Sequence, residues 1–148
     1  MYNQKIKKAH SLSLKRIFIA AAGPFANLMF AIMAYVFLVF NKDIEILSVN
    51  LETIIYSNIL LLVFNLIPIY PLDGGRIIKE LMYIFKGLKK AYIYTNKISN
   101  ICIILITMVA SVGVLLYKNI AIVIIIVYLW AIVIRENIYL KRILANLT

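Results

Sequence analysis

Four apolar runs of membrane-crossing length, residues 17–40, 54–72, 98–117 and 120–134, constrain this chain more than any other feature. Crossing about 30 Å of hydrocarbon takes roughly 20 apolar residues in a helix. Backbone groups in lipid must also satisfy one another, which leaves the helix as the form such runs take. Composition agrees: 64% of the 148 residues are hydrophobic and the mean hydropathy is +0.96, more than a soluble domain of this length needs. The reading is an all-α membrane protein with four transmembrane helices in a lipid bilayer. It forms a single integral-membrane domain over residues 1–148, since no Ser/Gly linker, low-complexity tract or internal repeat marks a second module. Only Lys118 and Asn119 separate the last two runs, which predicts a tight helical hairpin; one continuous helix would be about 50 Å long and would hold Lys118 in mid-membrane. The small residues from Ala20 to Gly23 open the first run instead of following it, which argues against a cleaved signal peptide.

Charge sets the orientation. Five Lys and Arg precede Ile17, six lie in 73–97 and three follow Ile134, whereas the 41–53 loop holds only Lys42 and the hairpin only Lys118. By the positive-inside rule, both termini and the 73–97 segment face the cytoplasm. The net charge of +10 is what flanking cations give any multispan protein, and anionic headgroups account for it without nucleic acid as a partner. Cys102 is the only cysteine, so no internal disulfide forms, and in the third run it reads as an inert core residue.

After Gly75 the texture changes. Ile77, Ile78, Leu81, Met82, Phe85 and Leu88 share one helical stripe, with Arg76, Lys79, Glu80, Lys86, Lys89 and Lys90 mostly opposite. This predicts an amphipathic helix lying in the cytoplasmic interface. Tyr83, Tyr92 and Tyr94 suit the aromatic belt there.

Just before it stands the sharpest irregularity. Pro68 and Pro71 each remove a backbone donor, and Gly74 and Gly75 permit shapes that other residues resist, so the second helix breaks near its cytoplasmic end. Asp73 at such a point is costly unless paired, protonated or metal-bound. On a regular helix Asn58 and Asn65 share a face, and a twisted end would bring Asp73 into the same polar lining. Alternatively, Asp73 caps a helix that starts at Gly74. In the first run, Gly23-Pro24 kinks or starts the helix, while Ala22, Gly23, Ala26 and Asn27 offer a small, hydrogen-bonding surface to a neighbouring helix.

Together, "GPFAN" at 23–27 and "NLIPIYPLDGG" at 65–75 resemble the site-2 protease family of intramembrane zinc metalloproteases. Its members carry Gly-Pro-x-x-Asn and then Asn-x-x-Pro-x-x-Pro-Leu-Asp-Gly-Gly on successive core helices. With only 37 residues between Asn27 and Asn65, no inserted PDZ domain fits, and the chain looks like the compact branch that includes bacterial sporulation-type enzymes. The resemblance implies that Asp73 is the third zinc ligand. It implies that Asn65 is a catalytic polar group near the substrate carbonyl or the zinc water, and that Gly23, Pro24, Asn27, Pro68, Pro71, Gly74 and Gly75 shape the motif. It implies a membrane-bound protein substrate and a bacterial cytoplasmic membrane.

Such chemistry uses zinc to activate water and polarise the scissile carbonyl, with three protein ligands and an open position. The usual supply is two histidines of His-Glu-x-x-His, with the Glu as base. This sequence departs there: its single histidine is His10, in "KKAHSLSLKR", which reads as an exposed juxtamembrane residue. In the family the His-Glu-x-x-His helix precedes the Gly-Pro-x-x-Asn span. The expectation is therefore the later part of a site-2 protease core, inactive alone, whose missing N-terminal helices belong to a longer chain or another subunit. A non-catalytic helix-binding or protease-partner protein is the alternative. A small transporter with an intramembrane Asp beside a broken helix is a third reading, though no second broken helix pairs with it.

Overall fold

Small side chains at three- and four-residue spacing decide which face of the first helix turns inward. Ser13, Ala20, Pro24, Ala31 and Ala34 are buried, with Ile17, Asn27 and Leu38 half-buried in the same series. Such a stripe lets neighbouring backbones approach closely, which is how helices associate in lipid, where apolar burial alone gives little. Ala22 and Ala26, expected on this contact face, are exposed instead. The computed structural model describes residues 2–40, 45–46 and 49–145; Lys42, the cation of the 41–53 loop, lies outside the described residues.

Helix α1 spans Tyr2–Phe40 without interruption and contains Pro24 in its interior. The expectation that Gly23-Pro24 starts the helix is thus corrected: the chain is already helical before it. Strands β1 (Glu45–Ile46) and β2 (Val49–Asn50) pair antiparallel, Glu45 opposite Asn50 and Ile46 opposite Val49. Asn50 then starts α2 (Leu51–Leu66), its side-chain oxygen accepting from the Glu52 N–H at 3.1 Å, the usual role of an N-cap asparagine. Helix α3 spans Asp73–Lys86, α4 Leu88–Tyr117 and α5 Ile120–Ala145.

Three of these helices are long and apolar enough to cross a membrane, over His10–Phe40, Leu88–Leu116 and Ile120–Ile143. The expected second span is shorter than read. Helix α2 has 16 residues, about 24 Å at 1.5 Å per residue, and ends at Leu66 because the residue before a proline is driven out of helical geometry. The third helix begins ten residues earlier than read, at Leu88. A single residue, Gly87, separates it from α3, and its φ of 77° suits glycine in particular. The hairpin between α4 and α5 forms as anticipated: Lys118 takes the left-handed conformation at φ 48°, and Asn119 caps α5 by accepting from the Ala121 N–H at 2.9 Å.

Helix α1 packs along both α2 and α3, α3 packs on α4, and α4 on α5. Polar contacts tie the last pair: Asn137 accepts from Asn96 at 2.6 Å and from Asn100 at 3.1 Å, and donates to Asn100 at 3.0 Å. Nearer the hairpin, Trp130 Nε1 donates to Thr107 Oγ1 at 3.0 Å. A cluster of Ile69, Ile103, Leu129 and Val133 forms the core, with Cys102 packed against it, so the inert-core reading of that cysteine matches its surroundings. Ile69 comes from the link between α2 and α3 and is completely buried, at 0% exposure. The broken segment therefore joins the two halves of the molecule.

Candidate functional site

The site grows out of residues 67–72. Ile67, ahead of Pro68, is extended at φ −56°, ψ 131°, and its N–H donates to the Phe64 carbonyl. The Ile69 N–H donates to the Ile67 carbonyl and the Leu72 N–H to the Ile69 carbonyl, both at 2.8 Å. The Tyr70 N–H crosses to α4 and donates to Ser99 Oγ at 3.0 Å. Every N–H in the segment is thereby paired, because the two positions without a partner are prolines, which have none. That is how irregular backbone survives at membrane depth: protein, not lipid, covers its polar groups. The Tyr70–Pro71 peptide is cis.

Helix α3 then turns back onto the same segment. A β-carbon at Gly74 would collide with the Leu66 and Ile67 carbonyl groups, and one at Gly75 with the backbone of Ile69 and Tyr70. The pair is needed for close approach rather than for unusual dihedrals, since both sit in regular helix. Asp73 is the first residue of α3, and its side chain makes no capping bond; the N-cap position falls on Leu72. The capping alternative is thereby corrected, although a carboxylate in the first turn still matches the helix dipole. Its Oδ1 lies 3.9 Å from Arg76 Nη1. Its Oδ2 faces α1, 3.0 Å from where a β-carbon on Gly23 would stand. The two motifs, 50 positions apart in sequence, meet at this carboxylate.

Residues 41–110 match the family model of Peptidase family M50. None of the curated proteins and none of the solved structures matches the chain. The M50 match covers just under half of the chain and takes in the whole segment from Asn65 to Gly75. Gly23, Pro24 and Asn27 lie before it. M50 peptidases are generally zinc enzymes, so the donor set bears directly on the family's chemistry. Among the described residues, no three His, Cys, Asp or Glu side chains come together as a metal would require. Asp73 offers one carboxylate, with a guanidinium beside one oxygen and α1 against the other. His10 is exposed, roughly 20 Å along α1 from Gly23 at the helical rise. These residues by themselves do not fit a zinc centre, and no hydrolytic step runs through one here.

Asn65 is half-buried in the last turn of α2, and Asn27 half-buried on the inner face of α1. Asn58 does not join a polar lining with Asp73: its Nδ2 donates to its own helix at the Ile54 carbonyl, 2.8 Å away, and it borders an apolar groove with Phe30, Met33 and Phe37. Helix α3 is amphipathic, but Glu80 is not on a solvated face. It is 8% exposed, and its Oε1 accepts from Arg16 Nη1 of α1 at 3.3 Å. Lys79 is held between two rings, 4.2 Å from the Tyr70 centroid and 4.0 Å from that of Tyr92. The apolar stripe of α3 points outward at Leu81 and Phe85. Sequence reasoning missed Ser99, Arg16 and the role of Glu80; the one available signal was a polar residue recurring on an otherwise apolar helical face.

Proposed function

We propose that this chain is the later part of an M50-type intramembrane peptidase core, in which Asp73 supplies one ligand and Asn65 a polar group at the substrate peptide. The observation that carries the reading is the meeting of Asp73 with Gly23, which draws "GPFAN" and "NLIPIYPLDGG" into one place at a helix break. A carboxylate presented from a broken helix inside a protein-covered segment is a costly arrangement to keep without a use. The substrate is a membrane-bound protein helix, cleaved within or close to the membrane face. An anti-sigma or pro-sigma factor, in a sporulation-type system of a bacterial cytoplasmic membrane, fits this class. Both termini and α3 face the cytoplasm by the charge distribution.

The 148 residues alone do not hydrolyse peptides in this reading, since a zinc centre also needs donors beyond Asp73. Two histidines and a glutamate base come from outside these residues, on the same polypeptide or another subunit. Mass spectrometry of the native membrane protein tests this directly: peptides bearing His-Glu-x-x-His joined to this chain make Asp73 a ligand of an ordinary member. Near-stoichiometric zinc on the purified 148-residue chain, with cleavage lost in Asp73→Ala, would overturn the claim of inactivity.

The lack of any group of three ligating side chains around Asp73 among the described residues favours a second reading, a non-catalytic protein that binds transmembrane helices or partners a protease. Stable co-purification with a membrane helix, unchanged by Asp73→Asn and without zinc, distinguishes it.

A further inference from the structure

The contacts of Asp73 do not account for its own position. Its side chain makes no capping bond, and its ion-pair partner among the described residues is Arg76, three residues on in the same helix, at 3.9 Å. No polar contact from another element holds it. The place of the carboxylate against Gly23 is therefore inherited from whatever fixes the start of α3.

That start hangs on Tyr70, three residues earlier. The Tyr70 N–H donates to Ser99 of α4 at 3.0 Å, and its backbone lies where a β-carbon on Gly75 would have to go. Its ring is held as well. Lys79 Nζ of α3 lies 4.2 Å from the Tyr70 centroid and 4.0 Å from that of Tyr92 on α4, inside the roughly 6 Å over which a ring face attracts a cation. One ammonium thus joins the segment before Asp73, the helix that Asp73 starts and the helix on which α3 packs. A lysine ordinarily carries its charge out to water, as the exposed Lys89 and Lys90 do. Lys79 is half-buried and forms no salt bridge among the described residues, so the two ring faces offset the water it gives up.

We infer that Lys79 is a positioning residue for Asp73: its charge, clasped by Tyr70 and Tyr92, holds the 67–72 link against α4 and thereby sets where the carboxylate meets α1. The use of that placement rests on the peptidase reading, in which the carboxylate is a ligand, whereas the placement itself is a property of these residues. A role through charge is separable from one through bulk. Methionine keeps most of the lysine stem and loses the cation, while arginine keeps a cation that also stacks on aromatic faces.

Hydrogen exchange of the full chain in lipid nanodiscs is the test, read at the Tyr70, Leu72 and Arg76 amides, the last two of which donate to the Ile69 and Leu72 carbonyls. Lys79→Met should speed these amides about tenfold while those in the middle of α5 keep their protection, and Lys79→Arg should restore them. Adding Tyr92→Leu to Lys79→Met should change little further, since both remove the same contact. Carbon-13 carboxyl spectra follow the site itself, because Asp43 and Asp73 are the only aspartates of the chain: the Asp73 line should shift or broaden in Lys79→Met and return in Lys79→Arg. Should Lys79→Met fail to fold, Tyr92→Leu against Tyr92→Phe, which keeps the ring, makes the same comparison. Wild-type exchange in Lys79→Met, an Asp73 line that does not move, a uniform loss of protection, or an arginine variant that behaves like the methionine one would each overturn the inference. No metal or substrate enters the measurement, so it can fail while the peptidase reading stands, and a native chain without His-Glu-x-x-His peptides would count against that reading without touching this one.

Discussion

Asp73 and Gly23 are in contact: the carboxylate Oδ2 stands 3.0 Å from the position a β-carbon on Gly23 would occupy. Nothing larger than hydrogen fits on α1 there without moving the carboxylate. The side chain at that point is a terminal group on two rotatable bonds, so a small intrusion can be absorbed and a large one cannot. Gly23→Ala should cost under about 1 kcal/mol and Gly23→Leu about 1–3 kcal/mol, the usual range for overpacking. Unfolding titrations in mixed detergent micelles read the difference, and equal stability of the two variants would show that the helices do not meet as described.

Glycines 74 and 75 face backbone rather than a movable side chain. Alanine at either should displace the start of α3 from the end of α2 and cost at least about 2 kcal/mol. Gly87 has open space around it but stands at φ 77°, ψ 171°, a region essentially reserved for glycine, so Gly87→Ala should cost about 1–3 kcal/mol, from backbone strain alone. The midpoints of the three variants in the same titration are the check, and an unchanged midpoint for alanine at 74 or 75 would show that α3 does not approach that backbone.

Ser99 supplies the acceptor for the Tyr70 N–H at 3.0 Å. Ser99→Ala leaves that donor buried and unpaired, a loss of about 1–3 kcal/mol. Hydrogen exchange locates it: the Tyr70 amide should exchange at least tenfold faster in the variant while amides in the middle of α5 keep their protection. Uniform loss of protection would instead mean that Ser99 acts only through global stability.

Asn137 makes three interhelical hydrogen bonds to Asn96 and Asn100. Such bonds within a membrane average well below their value in isolation, so Asn137→Leu should cost about 1 kcal/mol and not more than about 2. Because the bonds join α4 to α5 alone, the loss should appear in the unfolding midpoint and leave a spectroscopic distance between α1 and α3 unchanged.

How much was legible follows from range along the chain. Apolar runs of membrane length, the hairpin at Lys118 and Asn119, and the break at Pro68 and Pro71 were readable because each depends on residues within a turn or two of one another. Proline removes its own N–H wherever it stands, and an apolar run needs no partner to prefer lipid. Local pattern was therefore enough for an all-α chain with a helix break at the proline-rich segment just before Asp73. Contacts between distant residues settled that Ile69 is buried against α4 and α5, that Ser99 pairs with Tyr70 across 29 positions, and that Glu80 turns inward to Arg16 across 64. Asp73 itself illustrates the division: local pattern offered a cap or a ligand with equal reason. Only the approach of α1 showed a carboxylate that caps nothing and rests against Gly23, because the energy of such contacts depends on distance in space, which local periodicity does not encode.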